Sequence, residues 1–206
     1  MPETPQEFYE RVTAAAGPDG RLPVSAEVAE SEIFPFESDG FRVKVFEPPV
    51  VPEPPRNGDP GGSPCHRCEL GEEGAFWADE RWMLVPPKDS LGGPFAALLM
   101  PHKHVDFGEL DGDLAADLGP LLVAIERAVK TLGNIARVHV YIWGDGGSHF
   151  HVWFLARPLG AMQLRGSCMP DWLDLLPPVP ADMLAADQRA VAENLAATYG
   201  GKALPA

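Results

Sequence analysis

Residues 144–158 read GDGGSHFHVWFLARP, and their alternation decides the architecture. Successive side chains of an extended chain take opposite faces, so His149, His151 and Trp153 share one side. Phe150, Val152 and Phe154 share the other; that set is wholly apolar and must face the core. Just upstream, RVHVYIW at 137–143 is a second β-rich run, joined to the first by a glycine-rich turn. The pair predicts an antiparallel hairpin with a long turn. Two imidazoles then stand side by side at the mouth of that turn. Glycines there let backbone N–H groups come close to a ligand and form a concavity suited to an anion.

Working outward, ERWMLVP at 80–86 predicts a strand, and FAALLMP at 95–101 predicts another that is buried on both faces. Leu114, Leu118, Leu121, Leu122, Ile125, Val129 and Leu132 recur at helical spacing, with Asp111 or Asp113 as cap and Gly133 as stop. Pro120 lies inside that helix and is expected to kink it or split off its first turn. After Pro158 the chain reads as irregular through LLPPVP, then as a helix from about Ala181 to Tyr199, ended by Gly200 and Gly201.

At the N-terminus, Thr4, Pro5 and Glu7 form a capping signature for a helix with Phe8 and Val12 on one face and Gly17 as its stop. Residues 33–46 suggest two short strands about a Ser-Asp-Gly turn. Seven prolines and three glycines between Glu47 and Pro64 mark a connector. The expected organisation is therefore an arm at 1–60 and an α+β domain at 61–206.

The chain has 206 residues, 45% of them hydrophobic, enough for one domain with a real core. A net charge of −14 argues against a protein that coats nucleic acid, because phosphate binding needs Lys and Arg to displace counterions. One local pocket can still take a small anion; Lys88, Lys103, Arg157 and Arg165 are the cations within reach of the motifs. No apolar run approaches the roughly 20 residues needed to span a bilayer, and MPETPQEF is not a signal peptide, so a cytoplasmic location is expected.

Three cysteines make no disulfide framework. Cys65 and Cys68 form a C-x-x-C, and two thiolates at that spacing can hold a metal ion that needs two further ligands. No strand-then-helix frame surrounds them, which weakens a redox reading. His66, His102, His104 and His149 are the candidate partners, and spacing alone does not exclude a local site using His102 and His104. Cys168 reads as a small buried or half-buried side chain.

GDGGSHFHVWFLARP resembles the signature of the histidine-triad superfamily, in which His-x-His-x-His or His-x-His-x-Gln follows a glycine-rich turn. PCHRCEL resembles the C-x-x-C opening of the zinc-bearing members, and LLMPHKHVDFGELDG resembles their strand ending in Pro-x-x-His. The branch with Gln includes galactose-1-phosphate uridylyltransferase and dinucleoside-polyphosphate phosphorylases. The resemblance covers roughly residues 61–157. It implies an antiparallel sheet with a long helix packed on it, to which the N-terminal arm and C-terminal helix are added. It also implies a structural zinc ion on Cys65, Cys68, His104 and His149, and His151 as a nucleophile that takes a nucleotidyl group. Gly146, Gly147, Ser148 and Trp153 would then line the phosphate. The implied substrate is a small nucleotide: a nucleoside phosphate, phosphoramidate or dinucleoside polyphosphate. Members often pair as homodimers, which leaves that state open for this chain.

Three departures bear on turnover. Trp153 is neither His nor Gln. Gly146 stands where a hydroxyl residue is often found, with Ser148 nearby. MLVPPKDS offers only Asp89 for the acidic residue that usually meets the ribose. The rival reading is a non-catalytic nucleotide-binding or zinc-stabilised interaction module derived from such enzymes. A hydrolytic zinc enzyme is a third, and it needs an open metal position.

Overall fold

A computed structural model describes residues 13–21 and 48–205. The N-terminal helix signature at Thr4, Pro5 and Glu7 and the strands expected at 33–46 lie outside those residues. The chain divides into two compact units, Met1–Pro54 and Pro55–Ala206. In the first, the described residues 13–21 make a tight turn in which the Gly17 N–H donates to the Arg21 carbonyl over 2.8 Å.

The second unit is α+β. Its strands are β1 (Trp77–Ala78), β2 (Trp82–Val85), β3 (Ala96–Pro101), β4 (Ile135–Tyr141), β5 (Val152–Pro158) and β6 (Lys202–Ala203). Its helices are α1 (His66–Leu70), α2 (Gly112–Lys130), α3 (Met169–Leu175) and α4 (Ala181–Thr198). The strands form one sheet in the order β4-β5-β3-β2-β1-β6, and every neighbouring pair is antiparallel. The register sets Leu99 opposite Val152 and Leu98 opposite Trp153.

One sheet face carries the main core. Ala97, Leu99, Val152 and Phe154 are fully buried there, against Leu121, Ile125 and Val129 of α2 and Val191 and Leu195 of α4. The alternation at 150–154 therefore falls as the sequence requires. The other face is covered only in part. Ala96 and Leu155 pack under Met169 and Leu173 of α3, but Leu98 and Met100 are half-buried. The two-sided burial expected of β3 thus holds at one end of the strand, and the uncovered remainder becomes a cleft.

Helix α2 runs unbroken through Pro120, capped by the Asp111 carboxylate, which accepts from the Leu114 N–H at 3.1 Å. The expected split of the first turn does not occur, and Pro120 and Ala116 are both on the exposed side. The carbonyl of residue 116 that loses its intrahelical partner is open to water, while Leu121 and Ile125 hold the helix to the sheet. Among the described residues no helix is long and apolar enough to cross a membrane.

Candidate metal centre and adjoining cleft

Helix α1 is a single turn, long enough to bring both ends of the C-x-x-C to one side. Cys65 is its N-cap, and Gly71, at φ 58°, turns the chain away after it. His104 follows β3 by three residues, and His149 precedes β5. The two histidine segments are tied together by the Phe150 N–H, which donates to the Val105 carbonyl at 2.8 Å. As a result Cys65, Cys68, His104 and His149 each offer one ligand atom, all within 4.8 Å of one another. Cys65 Sγ lies 3.4 Å and Cys68 Sγ 3.5 Å from His149 Nδ1, and Cys68 Sγ lies 3.3 Å from His104 Nδ1. Sulfur and nitrogen ligands arranged tetrahedrally at ordinary bond lengths sit about 3.5 Å apart. The four groups can hold one metal ion.

The outer hydrogen bonds prepare the ligands. His149 is 4% exposed, and its Nε2–H donates to the Pro101 carbonyl over 2.8 Å, so Nδ1 keeps its lone pair for the metal. Burial also holds the His149 imidazolium below its usual range, which favours the neutral, ligating form. His104 directs Nε2 at Ser148 Oγ (3.3 Å), and that hydroxyl donates to the Asn57 carbonyl (3.3 Å). Ser148, expected from sequence beside the phosphate, is buried and faces the histidines of the cluster. His102, left open as a ligand, is turned away: its Nε2–H donates to the Asp79 carbonyl at 3.0 Å.

The segment treated from sequence as a connector contributes to this centre. Asn57 bridges to Gly147: its N–H donates to the Gly146 carbonyl (3.4 Å), and its carbonyl accepts from the Ser148 N–H (3.0 Å). Arg56 donates to the Gly144 carbonyl (3.0 Å), to Asp106 (2.7 Å) and to Asp59 (3.1 Å), so it fastens the glycine turn to the loop after His104. Gly58 has φ 93°, and a Cβ there would lie 2.7 Å from the His104 ring and 2.8 Å from Ser148 Oγ. Gly61 has a similar φ of 86° with nothing within 4 Å. Both Ala substitutions should cost the strain of a left-handed backbone, about 1 kcal/mol, but only Gly58→Ala should loosen the metal. Its loss to a chelator, followed by absorbance, is expected to quicken at least about tenfold in Gly58→Ala and to stay near wild type in Gly61→Ala. Equal rates in the two variants would show that the Gly58 contact is unimportant.

Beside the centre, the open face of the sheet forms a cleft of about 890 Å³. Its floor is Val85, Leu98 and Met100, and Trp143 and Trp153 stand along it with ring centroids 6.2 Å apart. His149, His151, Gly146 and Gly147 line the same space. His151 Nδ1 donates to the His149 carbonyl at 3.0 Å. A carbonyl can only accept, so Nδ1 carries a proton, and in the neutral ring Nε2 then carries the lone pair. The Gly146 and Gly147 N–H groups have no acceptor among the described residues. Trp153 meets His151 edge-on at 6.4 Å. Of the four cations singled out, Lys88 lines the cleft; Lys103 pairs with Asp111, and Arg157 and Arg165 donate to backbone carbonyls.

Solved structures similar to this chain include histidine-triad proteins. One is a hypothetical histidine triad nucleotide-binding protein from Sulfolobus tokodaii, 18% identical over 64% of this chain and 91% of that one, with a TM-score of 0.48. Another is a zinc-bound histidine triad family protein from Mycobacterium smegmatis, 19% identical over 63% of this chain and 91% of that one, with a TM-score of 0.45. A third is a uridylyltransferase, 14% identical over 64% of this chain and 45% of that one, with a TM-score of 0.48. No family model and no curated protein matches the sequence.

Proposed function

We propose that this chain is a nucleotide hydrolase or nucleotidyltransferase of the histidine-triad type, with a structural zinc ion and His151 as its nucleophile. The observation that carries the reading is the hydrogen bond from His151 Nδ1 to the His149 carbonyl, which leaves Nε2 able to attack from within the cleft. Attack at the α-phosphorus would form an Nε2–P bond and break the bond to the leaving group, which departs with a proton from solvent. Water or a second substrate then takes the nucleotidyl group from His151. The free Gly146 and Gly147 amides would stabilise charge on the phosphoryl oxygens. Trp143 and Trp153 offer faces for a base.

Two thiolates and two imidazoles at tetrahedral spacing suit zinc, and four protein ligands leave no position for a reacting water. That argues for a structural role and against a hydrolytic zinc centre. Zinc would fasten the glycine turn to α1 and to the loop after β3. One observation favours the rival binding module: the third signature position holds Trp153, a bulky indole with a single N–H donor in place of the His or Gln of the signature. A single experiment separates the two. Labelled nucleoside phosphoramidates and dinucleoside polyphosphates are incubated with the protein, and intact mass and peptide mapping are used to seek a nucleotidyl adduct on His151. Release of mononucleotide with that adduct supports catalysis; binding with neither supports the module.

A further inference from the structure

Arg67 lies between the two cysteines of the C-x-x-C, yet its side chain lines the cleft and is 9% exposed. Its Nη2 donates to the Glu73 carbonyl at 2.8 Å. Its Nε is buried without a partner, and Nη1 makes no hydrogen bond among the described residues. No carboxylate pairs with it among those residues. A guanidinium carries five N–H donors, and burying it with most of them unused is unfavourable unless something else accepts from them. Of the other side chains lining the cleft, Leu98 and Trp153 offer no acceptor atom and Met100 only a weak one, and none of the polar ones hydrogen-bonds to Arg67 among the described residues. Valine, leucine, methionine and two tryptophans give part of the cleft an apolar, aromatic surface suited to a planar ring, and Arg67 stands in the same wall beside Glu73.

On the footing that the cleft takes a nucleotide, we propose that Arg67 selects a base carrying a ring carbonyl, an oxopurine rather than adenine. Guanine and hypoxanthine present two adjacent acceptors, O6 and N7, which match the guanidinium fork. Adenine replaces the O6 acceptor with an amino donor, so donor would face donor in a dry site.

The test is equilibrium binding of IMP, GMP and AMP to the zinc-loaded protein, read by quenching of tryptophan fluorescence. Wild type should bind IMP and GMP at least about tenfold more tightly than AMP. Arg67→Met keeps the reach of the side chain and removes the donors. It should bring the three nucleotides within about twofold of one another, mainly by weakening IMP and GMP. Zinc content and circular dichroism check that the variant is folded; if it is not, the wild-type ranking alone decides. Equal wild-type affinity for AMP and IMP, or an Arg67→Met variant that weakens all three alike, overturns the selection by Arg67 and leaves the nucleotide footing intact. Failure of all three to bind overturns both.

Discussion

Replacing His151 by Asn should abolish turnover while leaving the fold, the metal and nucleotide binding in place. Asn keeps a polar side chain of similar reach but has no nitrogen lone pair with which to attack phosphorus. His151 is not among the four groups of the cluster, and among the described residues its side chain hydrogen-bonds only to the neighbouring His149 carbonyl, so little else depends on it. Loss of a covalent nucleophile removes an interaction made only on the way to the transition state, and a fall of about 10³-fold or more in kcat is expected with KM nearly unchanged. Mononucleotide release under single-turnover conditions measures this directly. A variant that turns over within tenfold of wild type would remove His151 from the mechanism. Trp153→Gln is the companion: it replaces the indole by the amide of the signature's Gln form, and activity should be kept or raised.

The readable part of this chain was where side-chain period and burial agree. Phe150, Val152 and Phe154 alternate strictly, and all three are buried. The Leu121, Ile125 and Val129 stripe of α2 is likewise buried, and Asp111 caps the helix. The Cys65, Cys68, His104 and His149 group could be picked out because its residue types are rare, and the structure brings their ligand atoms within 4.8 Å of one another. Spacing could not choose between His102 and His149; only the turn of His102 toward the Asp79 carbonyl does so.

The parts that were not legible have local causes. Strands β1 and β6 have two residues each, too short for any alternation to show. Helix α3 is seven residues long and stands just before the Leu-Pro-Pro run, so its buried pair Met169 and Leu173 did not stand out. Prolines hid the role of Arg56, Asn57 and Gly58. Their bonds run to Gly144, Gly146 and Asp106, far away in sequence, where no local pattern reports them. Asn57-Gly58-Asp59-Pro60 has turn-forming residues, but a turn motif does not say what it touches.

Removing the metal should have the widest structural effect, because the four candidate ligands come from three separate stretches of chain: the Cys65–Cys68 turn, the loop after β3 and the turn before β5. The purified protein is expected to hold about one zinc per chain. Cys65→Ser with Cys68→Ser should lose it and lower Tm by roughly 10 °C, since the binding energy of a closed zinc site is folding energy. His104→Ala and His149→Ala should each weaken retention, whereas His102→Ala should not. The pH dependence has a definite sign. In the metal-free protein, burial and then the neighbouring Cys65 thiol push the Cys68 thiol up to about 11. It is therefore protonated near neutrality and must release that proton to bind. His149 acts in the same direction: its imidazolium is disfavoured in the fold, so its contribution is present above the ordinary histidine range and is lost as pH falls below it. Zinc affinity should consequently rise with pH, and uptake by apo-protein in weak buffer should release protons, both measurable by calorimetry in buffers of different ionisation enthalpy. Elemental analysis finding no metal in freshly prepared, unchelated protein would sink the centre, and a His102→Ala variant that loses zinc while His149→Ala keeps it would move the site off the signature strand.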